Sequence, residues 1–225
     1  NQPIENRVQD LLSRMTLEEK IAQMSEVGCD DMIQDNLVKS ALISEKVLQR
    51  GIGAIHGFTL SSKNEEDRKF WREHVKRCRE IGAEMGKQLK SPCIHNLWMP
   101  DGSKDIPVDR YTLRKILKDS LDEIYSVEYP VQHLKDSVET KLFGIGSEAM
   151  VVGSYDFYLA YAIRNNKLIC LDNGHYHPTE QVGDKIASCL QYLDELMLHV
   201  TRGLRWDSDH VVTFNDEILL IAQEV

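Results

Sequence analysis

The sequence predicts an α/β fold, a parallel (β/α) barrel of TIM type that is incomplete or rearranged. Segments with apolar residues at steps of three and four alternate with short, continuously apolar runs, the pattern of strands buried on both faces beneath helices. About six strands can be read from the 225 residues, where a closed eight-stranded barrel typically takes about 250. Carboxylate and imidazole residues stand beside several of the apolar runs, where a βα barrel carries its functional groups.

Each element has its own signal. "PIENRVQDLLSRM" places Ile4, Val8, Leu11, Leu12 and Met15 at helical spacing. Thr16 then opens a second helix through a capping box with Glu19, continued by Ile21 and Met24. "VLQRGIGAIHGFTL" reads as a helix end, a glycine break and a short strand through Ile52, Ala54 and Ile55. "EEDRKFWREHVKRCREIGAEMGKQL" is a long amphipathic helix whose stripe runs Trp71, Val75, Cys78, Gly82, Met85, Leu89. "SPCIHNLWMPDG" is a strand ending in a loop, and "TLRKILKDSLDEIYS" a helix through Leu113, Ile116, Leu117, Leu121 and Ile124. "HLKDSVETKLFGIG" reads as a short helix followed by a strand over 141–145, and "SYDFYLAYAIRNN" as a helix. "LICLD" is a strand, "PTEQVGDKIASCLQYL" a helix with Pro178 near its first turn, and "LMLHV" a strand. "RGLRWDSDHVV" is a loop, and the last helix starts near Asn215.

Bulk properties exclude several function classes. A net charge of −9 with no Lys/Arg block leaves no basic surplus for a phosphate backbone, so no nucleic-acid partner is expected. No apolar run approaches the roughly 20 residues a membrane span needs, and the opening "NQPIENRVQD" lacks the apolar core of a signal peptide. Cys29, Cys78, Cys93, Cys170 and Cys189 are scattered, odd in number and without a CxxC, which suits reduced thiols in a cytoplasmic protein. Cys170, between Ile169 and Leu171, reads as a buried structural thiol.

The chemistry gathers beside the strands. Glu139 precedes the 141–145 strand, Asp172 and His175 end the 168–171 strand, His199 lies in "LMLHV", and Asp207 and Asp209 form a D-x-D in the following loop. Such a mixed carboxylate and imidazole set suits Mn²⁺, Zn²⁺ or Co²⁺ and has ligands enough for two ions. Plainer readings stand beside it: D-x-D as solvated turn chemistry, His199 as a satisfied core histidine, and His177 as a cap or packing group for the next helix.

These residues sit in longer matching text. "NLWMPDGSKDIPVDR", "VETKLFGIGSEAMVVGSYDFYLAYA", "CLDNGHYHPTEQVGDKI" and "LMLHVTRGLRWDSDHVV" closely resemble L-rhamnose isomerase across 57–225. The resemblance implies a metal-dependent aldose–ketose isomerase on a (β/α)₈ barrel, interconverting L-rhamnose and L-rhamnulose. By motif, Glu139, Asp172 and His199 would hold one divalent ion, Mn²⁺ or alternatively Zn²⁺ or Co²⁺, and His175, Asp207 and Asp209 a second. It further implies Lewis-acid catalysis on a chelated small sugar, with hydrogen moving between C2 and C1 and the Asp207/Asp209 pair relaying the hydroxyl proton through water. Lys141 would stabilise developing negative charge, or else pair with Glu139 or Asp172. Trp98 resembles the family's aromatic wall against the sugar, or else is core. The family's barrel has further strands before "NLWMP" and one after "AQE" that supplies another aspartate ligand.

The opening residues 3–56 resemble the N-terminal barrel segment of family 3 glycoside hydrolases. The organisation expected is therefore a glycosidase-like segment, 1–56, joined to an isomerase-like barrel segment, 57–225. The leading expectation is an isomerase. An inactive chimeric scaffold is the alternative and a glycoside hydrolase the third reading. An open barrel exposes two sheet edges, so a homo-oligomer is expected to cover them.

Overall fold

The computed structural model describes residues 13–14, 26–28, 33–34, 37–38, 54–56, 58–103, 106–140, 150–177, 179–201 and 211–225. The chain divides into two compact units, Asn1–Phe58 and Thr59–Val225. In the first, strands β1 (Glu26–Gly28) and β4 (Ala54–His56) pair in parallel, with Val27 opposite Ile55. Strands β2 (Ile33–Gln34) and β3 (Leu37–Val38) pair antiparallel. The two helices expected ahead of residue 25 fall almost wholly outside the described residues.

The second unit is a run of strand–helix repeats. Helix α1 (Glu65–Leu89) leads into β5 (Cys93–Trp98), followed by β6 (Gly102–Ser103) and helix α2 (Arg110–Tyr125). Strand β7 (Leu134–Glu139), β8 (Met150–Val151) and helix α3 (Tyr155–Asn165) come next. The unit ends with β9 (Leu168–Asp172), α4 (Val182–Cys189), β10 (Met197–His199) and α5 (Asp216–Glu224). Strands β5, β7, β9 and β10 form one sheet in that spatial order, every pair parallel, while β6 and β8 make a small antiparallel pair. Neighbours in space are successive strands of that sheet joined by helices, which is the winding of a (β/α) barrel. The sheet is a half-barrel, so the expected incomplete α/β barrel is what forms.

Local chemistry sets the helix ends. The Asn64 side chain accepts from Glu66 N at 3.0 Å, and Glu65, Glu66 and Asp67 fill the first turn of α1, where the helix dipole favours negative charge. Asp109 caps α2 by accepting from Thr112 N, and Asn215 caps α5 by accepting from Ile218 N, each at 3.0 Å. Helix α1 lies close on the sheet because Gly86 is bare: a Cβ there would stand 1.9 Å from the His133 carbonyl oxygen.

Three sequence expectations change. The stretch expected to contain a short helix ahead of residue 141 is instead β7, whose alternation is obscured by Asp136, Ser137 and Glu139. Those polar groups are buried, and two of them are satisfied by partners distant in sequence. Asp136 takes both arms of the Arg79 guanidinium at 2.8 Å each, and Glu139 takes the Asn96 amide. The strand expected over 141–145 lies outside the described residues. The apolar stripe of α1 is also rotated from its expected position, with Met85 and Leu89 exposed while Arg72, Val75, Arg79, Gly82, Ala83 and Gly86 are buried. Helix α4 begins at Val182 rather than near Pro178, because His177 and Thr179 first close a turn with Glu180 N on His177 O at 2.7 Å.

Candidate metal centre

Strand alternation fixes which side chains share a face. Parallel register pairs Asn96 with Ser137, Trp98 with Glu139, Glu139 with Cys170, and Asp172 with His199. One face of the sheet therefore carries Asn96, Trp98, Ser137, Glu139, Cys170, Asp172 and His199. Glu139, Asp172 and His199 are the last residues of β7, β9 and β10, three neighbouring strands that end at one rim.

The rim is tightly built. His199 Nδ1 lies 3.2 Å from Glu139 Oε1 and 3.5 Å from Asp172 Oδ2. Past β9 the chain turns at once: Gly174 N donates to Asp172 Oδ1 at 2.7 Å, and His175 N to Asp172 O at 3.0 Å. That turn folds His175 back over the rim, where its Nδ1 is 2.8 Å from Thr140 O and 3.4 Å from Glu139 Oε1. A carbonyl only accepts, so Nδ1 carries the proton and the ring's lone pair sits on Nε2, the nitrogen a metal would take. Asn173 clamps the loop beyond β10, accepting from Thr201 N at 2.7 Å and donating to Thr201 O at 2.8 Å.

Glu139, Asp172 and His175 are 3%, 4% and 6% exposed, and the His199 side chain is 37% exposed. A carboxylate buried to that degree needs compensating charge. Among the described residues, Glu139 is ion-paired only with the two imidazoles, with no lysine or arginine on it. Ligand atoms of Glu139, Asp172 and His175 all lie within 4.8 Å of one another, as do those of Glu139, Cys170 and His199. Oxygen and nitrogen donors gathered around buried carboxylates are what a divalent cation requires, so the residues present fit one.

The structure thus brings together four of the residues singled out from sequence, Glu139, Asp172, His175 and His199. Trp98 stands at the same rim, 43% exposed, so it is not core. His199 is likewise a rim residue rather than a core histidine. Lys141, Asp207 and Asp209 lie outside the described residues. His177 is exposed, with its Nδ1 2.7 Å from Thr179 Oγ1 in the turn before α4. Sequence reading missed Asn96 and Cys170 as members of this face. Spacing held the signal, since Cys170 precedes Asp172 by two residues in one strand. Burial first, then the Glu139 and Asp172 charges, hold the Cys170 thiol well above its ordinary titration range.

Comparison with known proteins identifies the family. The family model for L-rhamnose isomerase (RhaA) matches residues 48–225, starting ahead of the 56/57 boundary expected from sequence. The chain is 54% identical over 172 residues to the L-rhamnose isomerase of Rhodopirellula baltica, covering 76% of this chain and 40% of that protein. It is 53% identical over 167 residues to that of Bacteroides thetaiotaomicron, covering 74% and 40%. The chain thus spans 40% of the length of these curated relatives. Among solved structures, the apo 3-keto-D-glucoside 4-epimerase of E. coli superposes with a TM-score of 0.51 at 15% identity, covering 82% of this chain and 71% of that one. At that identity the likeness concerns the fold alone. No helix among the described residues is long and apolar enough to cross a membrane.

Proposed function

The chain belongs to the L-rhamnose isomerase family, and from that premise we propose that its strand-end cluster is the metal-binding part of an aldose–ketose isomerase site. The substrate pair in this reading is L-rhamnose and L-rhamnulose. The observation that carries it is the convergence of Glu139, Asp172, His175 and His199 at the ends of adjacent parallel strands.

In this reading Glu139, Asp172 and His199 hold one divalent ion, and His175 with Asp207 and Asp209 a second. The ion is Mn²⁺, with Zn²⁺ or Co²⁺ as alternatives. When bound, it supplies Lewis acidity to the sugar oxygens. The chain's own groups do the rest. The Thr140 carbonyl fixes the His175 tautomer, and Asn96 donates to Glu139 and orients its carboxylate. Trp98 offers an aromatic face to the apolar side of the sugar. Asp207 and Asp209 move the hydroxyl proton, and Lys141 meets developing negative charge on oxygen. The division into segments 1–56 and 57–225, a homo-oligomeric state and a cytoplasmic location belong to the same proposal. The family relationship gives no support to an inactive scaffold.

Calorimetric titration with Mn²⁺, combined with a ketose assay on L-rhamnose, tests this reading. Saturable Mn²⁺ binding and L-rhamnulose formation are expected, both lost in Asp172→Asn. Absence of binding by Mn²⁺, Zn²⁺ and Co²⁺ alike would overturn the metal assignment.

A further inference from the structure

The strand ends opposite the metal rim line a cavity of about 420 Å³, inside the range of roughly 300–1,000 Å³ typical of small-molecule sites. It lies where β7 and β9 begin, between the turn joining α3 to β9 and the segment leading into β10. The length of β7 separates it from the rim, since five steps from Leu134 to Glu139 span about 16 Å. Its floor is apolar: Leu134, Leu168 and Leu193 line it and are buried. The Tyr129 ring forms part of the wall and packs against the Arg79 guanidinium, 5.2 Å from the ring centre. Asn166, in the left-handed region at φ 50°, turns the chain so that two adjacent amides, Asn165 and Asn166, line the cavity.

The charges in the wall are already matched. Lys135 Nζ donates to both carboxylate oxygens of Glu195, at 2.6 and 2.7 Å. Lys167 Nζ lies 3.3 Å from Asp136, whose oxygens Arg79 also holds. Glu128 and Asp194 line the cavity too, but both are exposed and solvent screens them. An anion would have to take a lysine from its carboxylate, and a cation a carboxylate from its lysine. A hydroxyl both donates and accepts, so it joins such pairs without breaking them. Matched polar pairs, two amides, an aromatic ring and an apolar floor complement a compact molecule with hydroxyls on its edges and C–H bonds on its faces. We propose that this cavity is a second binding site, for a neutral polyhydroxylated molecule of monosaccharide size, separate from the metal rim. The proposal stands whether or not the rim holds metal.

Amide-resolved NMR titration of the full chain, with diamagnetic Zn²⁺ present, tests it. The probes are methyl α-D-glucopyranoside and D-sorbitol, a ring and an open-chain polyol, neither of which has a carbonyl to isomerise. The expected result is a saturable shift of the Lys135, Asn166, Lys167 and Glu195 amides with at least one probe, while those of Asp172 and His199 stay in place. Tyr129→Ala should weaken binding roughly tenfold through loss of the ring contact. Val131→Trp fills the cavity from an exposed position and should abolish binding, with the amide pattern elsewhere unchanged. The map on the unaltered chain needs no variant, so the proposal stays testable if either substitution disturbs folding. No saturable shift at these amides up to the solubility of both probes overturns the site, as do shifts confined to the rim or binding that survives Val131→Trp in the folded chain. Tighter binding there of spermidine or inorganic phosphate than of either polyol overturns the neutral ligand class.

Discussion

Asp136 and Glu139 lie three residues apart on β7 and face opposite sides of the sheet, and both carboxylates are buried. Their surroundings differ in kind. Asp136 faces α1, where Arg79, itself 1% exposed, grips both carboxylate oxygens at 2.8 Å. The same guanidinium donates to Ile124 O and Val127 O and lies 4.9 Å from the Tyr125 ring centre, while Lys167 adds a contact to Asp136 at 3.3 Å. Glu139 faces the rim and meets imidazoles, an amide and a thiol. One carboxylate has its counter-charge built into the fold. The other is held among groups that are themselves good metal ligands. The difference separates a charge balanced by the fold itself from one that the proposed metal ion would balance.

The largest test of the contrast is Arg79→Met. It leaves Asp136 buried against apolar packing, and stability should fall by about 3–5 kcal/mol, since removing one partner of a buried pair strands the other. Urea unfolding reads this directly. The double variant Arg79→Met/Asp136→Leu should recover much of the loss, and a double variant as unstable as the single would show that packing of the long arginine side chain dominates. On the other face, Glu139→Gln should cost little in the metal-free chain. It should instead remove the stabilisation that Mn²⁺ gives, about 2.7 kcal/mol at a hundredfold excess over Kd. Thermal melts with and without Mn²⁺ compare the two faces. If Glu139→Gln is as damaging without metal as Arg79→Met, the contrast fails.

The smallest effect is a pH slope on the structural face. Burial, partly offset by the nearby Asp136 charge and assisted by Arg79, pushes the His95 imidazole below its ordinary 6.5. The folded state therefore resists protonation that the unfolded chain accepts. Stability is unaffected by this group well above pH 6.5 and falls as pH drops through the ordinary histidine range, because the unfolded chain then binds more protons. Metal-free urea midpoints at descending pH should fall less steeply in His95→Asn than in the unaltered chain. Equal slopes would remove His95 as the source.

Legibility followed the type of burial. Helices α1, α2, α3 and α5 and strands β5, β9 and β10 carry apolar periodicity or continuous apolar runs, and their existence was readable. So were Asp172, His175 and His199, which stand at or just beyond the ends of readable strands. Strand β7 was not readable, because its two buried faces carry Asp136 on one side and Ser137 and Glu139 on the other. The rotated face of α1 was hidden for a related reason: Arg72 and Arg79 look like surface residues until their acidic partners are known.

The sequence by itself determined the α/β alternation, the family and the residue types available for a metal, since apolar periodicity and motif spacing are local properties of the chain. Only the tertiary structure decided that Arg79 belongs inside, that Glu139 ends a strand, and that Cys170 shares a face with the rim residues. Burial of a polar group is favourable only with its partner in place, and here the partners come from elements far apart in sequence: Arg79 to Asp136, Asn96 to Glu139, His199 to Glu139.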